Sequence, residues 1–266
     1  MESKAHQSQL AVVTGASSGI GLELAKQFAK NGFDLIVVAE DDLIHKVAEE
    51  LGKYGILAQA VQADLATYQG NETLCDFIRA NAQPVDALAL NAGVGVHGDF
   101  LRETELEDHF NLLNLNVIST VHLARRIGRD MVDVGEGRIL FTSSVVSLMP
   151  GTYMATYAAS KAFVESFAEA LRAELKDSGV TVTTLLPGAT DTNFFRRAHM
   201  ENTAVGASAK DDPADVARDG FEGLMAGKDH VVGGSFMNKV QVTVSKVLPD
   251  TVKAEMHRRQ AGPAKH

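Results

Sequence analysis

In "TYMATYAASK", Thr152 to Lys161, one tyrosine stands four residues before a lysine. On a helix, Tyr157 and Lys161 therefore present a phenol and an ammonium on one face, about 5–6 Å apart at Cβ. A positioned phenol can hand over or take up a proton, and a nearby cation favours its ionised form. Tyr153 lacks that geometry: eight positions separate it from Lys161, and Pro150 and Gly151 upstream put it in a loop. An isolated Tyr-x-x-x-Lys is more often an ordinary half-buried tyrosine, so the pair gains meaning only from the rest of the chain.

A second stretch with chemical potential is "TGASSGIG", Thr14 to Gly21, which follows an apolar run and opens the amphipathic "IGLELAKQFAKNG". Glycines at such a turn permit positive φ and close approach of a backbone, and a helix N-terminus offers free N–H groups and partial positive charge. The turn can hold a pyrophosphate. Its glycines, Gly15, Gly19 and Gly21, follow G-x-x-x-G-x-G and not G-x-G-x-x-G. A tight strand-to-helix connection is the alternative. Nineteen residues after Gly21, "VVAEDD" places Glu40 at the end of a second strand, where a carboxylate can hydrogen-bond the ribose hydroxyls of NAD. A 2'-phosphate there meets like charge, and no arginine or lysine stands at this strand end. NAD is expected over NADP. Asp41 and Asp42 precede "LIHKVAEEL", so one of them can also cap that helix. Asp64, in "QADLA" after a third strand, is placed to reach an adenine.

These residues need elements to hold them. Short β-rich runs at 10–14, 34–39, 57–62, 86–90, 138–142, 181–186 and 230–233 alternate with helical stretches near 19–31, 42–54, 70–81, 104–133, 156–177 and 213–226. That alternation predicts βαβ units: a doubly wound, Rossmann-type parallel sheet of about seven strands with helices on both faces, in a single α/β domain. Asp212 and Pro213 mark the start of the last helix. The core is expected over about 8–234, a lid over 189–211 and a C-terminal extension over 235–266. For the extension three readings stay open: a subunit-contact arm, a wall of the substrate pocket, or a loose basic end.

Composition narrows the partners. The 266 residues carry a formal charge of -9, which argues against nucleic acid or an anionic membrane and for a small ligand. Cys75 is the only cysteine, so no internal disulfide forms, and "MESKAHQSQL" lacks the apolar core of a signal peptide. A cytoplasmic protein is expected. The charge-free stretch from Ile139 to Ser160 contains Pro150 and Gly151 and reads as strand, loop and helix start, not a membrane span.

Taken in order, "TGASSGIG", "ADL" (63–65), "LNAG" (90–93), Asn116 in "NLNVIST", "TSS" (142–144), "YAASK" and "PGATDT" (187–192) make the chain resemble the single-domain short-chain dehydrogenase/reductases, over roughly residues 8 to 234. The resemblance implies hydride transfer between a nicotinamide cofactor and a secondary alcohol or ketone. It implies Tyr157 as acid/base, with its phenol acidified by Lys161 and the nicotinamide ring; Ser144 as hydrogen-bond partner of the reacting oxygen; and Asn116 as holder of a water that relays protons to Lys161. Ser143 is the competing serine, pointed the other way by strand alternation, and Asn111 and Asn114 are competing asparagines. Cofactor contacts are implied for Gly15, Ser17, Ser18, Ile20, Gly21, Glu40, Asp64, Leu65, Asn91, Ala92, Gly93, Tyr157, Lys161, Pro187, Gly188, Thr190 and Thr192. Metal is not required. A homodimer or homotetramer is implied through the helices at 104–133 and 156–177. Two departures matter: the family's usual "NNAG" reads "LNAG", with Leu90 in place of an asparagine, and the "VARR" of many NADP-using relatives reads "VAEDD".

Other residues invite roles without earning them. His97, His109 and His122 match no ligand spacing and are expected to be packed or solvated. Phe194, Phe195, Met149, Met154 and Met200 flank the site and serve either an apolar substrate wall or plain packing. Arg196 and Arg197 face an acidic substrate or water. Two other functions remain: a sugar-nucleotide epimerase or dehydratase on a related fold, disfavoured by the glycine spacing and chain length, and a dinucleotide-sensing regulator, which has no need of an acid/base set.

Overall fold

The computed structural model describes residues 8–245 and 248–262. Seven parallel strands form one sheet in the order β3-β2-β1-β4-β5-β6-β7. They are β1 (Leu10–Thr14), β2 (Asp34–Ala39), β3 (Ala58–Gln62), β4 (Ala87–Leu90), β5 (Gly137–Thr142), β6 (Val180–Pro187) and β7 (His230–Gly233). Alternation along β1 shows why a buried parallel strand is apolar at every position. Leu10 and Val12 enter a core with Leu123, Ile127 and Val164, while Ala11 and Val13 enter the opposite core with Leu24, Phe28 and Val216. The first core is covered by α3 (Tyr68–Asn81), α5 (Thr120–Val134) and α6 (Ala155–Glu174); the second by α1 (Gly19–Lys30), α2 (Leu43–Gly52) and α9 (Pro213–Met225). The order reverses between β1 and β4, and ligands of such sheets bind outside the carboxyl ends of the strands at that crevice.

The helix expected over 104–133 is three pieces: α4 (Leu106–Leu113), a wide π-type turn (Asn114–Ser119) and α5. Asn116 sits in the wide turn, a feature frequent at functional sites. Asp212 caps α9 as expected, accepting from Ala214 N at 2.8 Å with Pro213 in the first turn. Asp42 occupies the N-cap position of α2 but makes no side-chain cap bond, and Asp41 turns elsewhere, so the capping expected of that pair is not met.

The expected lid holds two short helices that weak periodicity hid, α7 (Phe194–Arg197) and α8 (Ala204–Ala207). Its base is pinned by Asp211 N donating to Ala189 O at 2.8 Å and Asp191 N donating to Asp211 O at 2.9 Å. The extension forms α10 (Phe236–Ser245) and α11 (Asp250–Ala261). Of its 32 residues, 246, 247 and 263–266 lie outside the described ones.

Candidate active site

Close packing of backbone shapes the turn before α1. Gly15 has φ 65°, and a Cβ on Gly21 would lie 2.1 Å from Gly15 O. Thr14 Oγ1 accepts from Asn91 N and Ala92 N, each at 2.9 Å, which ties the turn to the end of β4. No side chain caps the N-terminus of α1, so its first N–H groups stay available to an anion. These features fit the pyrophosphate of a nicotinamide dinucleotide.

At the end of β2, Ser17 Oγ donates to Asp41 Oδ2 at 2.8 Å, while Asp41 Oδ1 is buried without a partner among the described residues. Glu40 is exposed and free to take a ribose hydroxyl. A positive charge stands here too, contrary to expectation. Arg197, from the lid, lies 3.6 Å from Glu40 Oε1 and 3.9 Å from Asp41 Oδ2. No local sequence signal announces this, because 157 positions separate Arg197 from Glu40. Asp64 lines the cavity beyond β3, with Oδ1 accepting from Ala66 N at 2.9 Å.

Tyr157 and Lys161 lie on one face of α6, both buried. Ser144 lines the same cavity wall as Tyr157, near enough for its hydroxyl to favour the ionised phenol. That hydroxyl also accepts from Val146 N at 3.3 Å and donates to Pro187 O at 3.4 Å. Ser143 points away, its Oγ donating to Lys161 O at 2.9 Å, as strand alternation requires. Burial pushes the Tyr157 phenol up to about 12, against a smaller lowering by Ser144, and burial brings the Lys161 ammonium down to about 8. The acidified phenol is expected from Lys161 together with the nicotinamide ring; in the chain without cofactor, burial keeps the phenol protonated. Lys161 Nζ donates to Thr142 O at 2.9 Å.

Asn116 works as a clamp. Its Oδ1 accepts from Val94 N and its Nδ2 donates to Val94 O, both at 3.0 Å, and Nδ2 reaches Ser160 Oγ at 3.1 Å. Asn116 O accepts from Thr120 Oγ1 at 2.9 Å. A Cβ on Gly93 would stand 3.1 Å from Asn116 Oδ1 and 3.4 Å from Lys161 Nζ, so this stretch packs directly on the buried ammonium.

One cavity of about 580 Å³ gathers all the site residues read from the sequence except Gly21 and Asn116, which support it from behind. Phe194, Phe195, Met154 and Met200 line it, and the Phe194 ring centroid is 5.1 Å from that of Tyr157. Met149 is buried outside it. The extension supplies further wall: Asn238, Gln241, His257 and Gln260. His257 Nδ1 donates to Thr152 O at 2.9 Å, and burial lowers the ring's basicity. Sequence reading missed these four, since helices α10 and α11 carry no motif. Tyr153, in its turn with φ 65°, accepts from Gly98 N through its carbonyl.

His97, His109 and His122 are held by neighbours. His97 donates to Ala261 O at 2.7 Å, His109 meets Thr104 Oγ1 at 2.8 Å, and His122 meets Glu72 at 2.6 Å. Glu72, Cys75 and His122, and Glu165, Glu169 and His230, converge within 4.8 Å. Ion pairing accounts for both: Arg126 and His122 on Glu72, and His230 between Glu165 and Glu169. Among the described residues no helix is long and apolar enough to cross a membrane.

Glycine cradle, strand-end carboxylates and a buried Ser-Tyr-Lys group on a seven-stranded parallel sheet define a dinucleotide-binding oxidoreductase. Comparison with known proteins agrees. Residues 9–202 match the family model described as short chain dehydrogenase. The oxidoreductase UcpA of Salmonella typhimurium is 32% identical over 77% of this chain and 76% of its own. The 1-deoxy-11-beta-hydroxypentalenate dehydrogenase of Streptomyces exfoliatus is 36% identical over 70% and 69%. A short-chain dehydrogenase from Sphingobium yanoikuyae, solved with NADPH, is 28% identical, with 91% of this chain and 96% of that one covered at a TM-score of 0.80. L-sorbose reductase from Gluconobacter frateurii, solved with NADPH and L-sorbose, is 26% identical over 86% and 96%, TM-score 0.74. The chain belongs to the short-chain dehydrogenase family, whose members are NAD(P)-dependent oxidoreductases of CH–OH groups.

Proposed function

We propose that this protein interconverts a mostly apolar secondary alcohol and its ketone, with NAD favoured as cofactor and Tyr157 as the acid/base. The observation that carries this reading is the buried Tyr157 phenol on the same cavity wall as Ser144, four residues before Lys161. When bound, the nicotinamide supplies the hydride acceptor or donor. The chain's own residues do the rest. Tyr157 donates its proton to a ketone oxygen, or takes one from an alcohol, and Ser144 orients that oxygen. A phenol held near 12 is fully protonated at neutral pH and ready to donate. In the oxidation direction it must ionise, and positive charge near it is needed to bring it down.

Lys161 is the first source of that charge and would also hold the nicotinamide ribose, with Asn116 keeping a proton-relay water beside it. Gly15, Ser17, Ser18, Ile20 and Gly21 would hold the pyrophosphate side, Glu40 the ribose, and Asp64 and Leu65 the adenine. Asn91, Ala92 and Gly93, with Pro187, Gly188, Thr190 and Thr192, would border the nicotinamide half. The carboxylates at the end of β2 support NAD, although two solved relatives hold NADPH. Phe194, Met154 and Met200 support an apolar substrate. A homodimer or homotetramer through α5 and α6 is part of the reading, supported by exposed Val134 and Phe163, and so is a cytoplasmic location, supported by the single free cysteine.

Fluorescence titration with NADH, combined with turnover of a secondary-alcohol panel by NAD+, tests this in wild type and Tyr157→Phe. The variant keeps NADH binding and loses about 10²–10⁴-fold in turnover. A Tyr157→Phe protein of undiminished turnover overturns the reading, and wild-type binding of NADH without turnover of any alcohol or ketone favours the dinucleotide sensor.

A further inference from the structure

We propose that Arg197 sets how this chain discriminates between the two nicotinamide dinucleotides, by making a strand end that is acidic in sequence tolerant of a 2'-phosphate. This rests on the cofactor reading above and adds the residue that tunes it.

Four observations converge on Arg197. Its guanidinium lies 3.6 Å from Glu40 and 3.9 Å from Asp41, close enough to offset their charge, yet it forms no side-chain hydrogen bond among the described residues. Its N–H donors remain available. Arg197, Glu40, Asp41 and Ser17 line the same cavity. Asp41 also accepts from Ser17 at 2.8 Å, which leaves Glu40 as the more exposed of the two carboxylates that face the guanidinium. Finally, α7 is a single turn whose first residue, Phe194, packs on Tyr157 while its last, Arg197, meets the β2 carboxylates. The lid thus carries one cation to the far end of the cleft while it covers the reacting end.

The chemistry follows from charge and donor geometry. Without Arg197, a 2'-phosphate would approach two carboxylates at the end of β2 and be repelled. With it, the same site offers a planar fork of donors that matches phosphate oxygens. A 2'-hydroxyl needs only an acceptor, which Glu40 provides with or without the arginine. Arg197 is therefore expected to matter much more for the phosphorylated dinucleotide.

Fluorescence titrations of NADH and NADPH against wild type, Arg197→Ala and Arg197→Lys read this directly, with no turnover required. Wild type binds both. Arg197→Ala weakens NADPH about tenfold or more, the scale of a charged hydrogen bond. NADH changes by less than about threefold, below 1 kcal/mol. Arg197→Lys, which keeps the charge, recovers part of the NADPH affinity. Equal shifts for the two dinucleotides, no shift for either, or a wild type that binds NADH and rejects NADPH overturns the role of Arg197 while leaving the cofactor reading intact. A wild type that binds neither overturns that reading as well.

Discussion

Lys161 and Tyr157 share a face of α6 without a direct hydrogen bond: the Lys161 ammonium donates to Thr142 O at 2.9 Å and stands 5.9 Å from the centroid of the Tyr157 ring. Both groups are taken out of water, and burial moves each toward its neutral form, the phenol up and the ammonium down. For the phenol, desolvation is the larger influence and Ser144 the smaller, opposing one. Further positive charge in the cleft would shift the balance, which is why the phenol's ionisation belongs to the loaded enzyme more than to the chain.

Lys161 leaves a signature in stability. The folded chain releases its proton near 8 and the unfolded one near 10.5, so between those values the unfolded state binds more protons and stability rises with pH. Denaturant unfolding without cofactor should show wild type gaining about 2 kcal/mol on Lys161→Met from pH 7 to pH 9.5. Parallel pH curves for the two proteins would contradict the buried ammonium.

Asn116→Ala removes a clamp. It leaves Val94 N and Val94 O without the amide that holds them and costs roughly 2–4 kcal/mol, since the lost bonds are buried. Thermal unfolding measures this. Asn114→Ala, in the same turn but outside the clamp, should change stability by less than about 1 kcal/mol. Equal losses would mean that the wide turn, and not the amide, is what matters.

Gly21→Ala tests the cradle. Its added methyl would sit 2.1 Å from Gly15 O, so the turn must open. NADH affinity is expected to fall at least about tenfold, read by fluorescence titration. Gly52→Ala, where a Cβ meets nothing within 4 Å and the backbone is helical, serves as the control and should bind NADH like wild type.

The two serines after β5 separate by function. Ser144→Ala should lower kcat/KM by about 10²-fold or more while leaving NADH binding in place. Ser143→Ala, which loses a bond to Lys161 O, should cost about 1 kcal/mol of stability and little turnover. If Ser143→Ala proves the more damaging to kcat/KM, the assignment of the pair is reversed.

Much of this site is legible locally. Strand alternation separates Ser143 from Ser144, helical spacing joins Tyr157 to Lys161, and a glycine turn after the first strand announces an anion. The wide turn at 114–119 is not, and its Asn116 clamps the Val94 backbone 22 positions away, a contact no local pattern records. Nor is the arginine beside Glu40: the strand end is acidic among its neighbours in sequence, and the opposing charge comes from 157 positions away. Nor is the place of the extension along the cavity, which is fixed by bonds such as His257 to Thr152, 105 positions apart.

From its sequence alone, this chain's seven strands, their helical crossovers and the order of its reactive groups follow, because period, turn chemistry and spacing are properties of neighbouring residues. What faces what across the cleft follows only from tertiary structure: Arg197 against Glu40, α11 against the pocket, and a phenol raised by its burial. Desolvation and cross-cleft charge depend on residues far apart in the chain and close in space, and no local pattern records them.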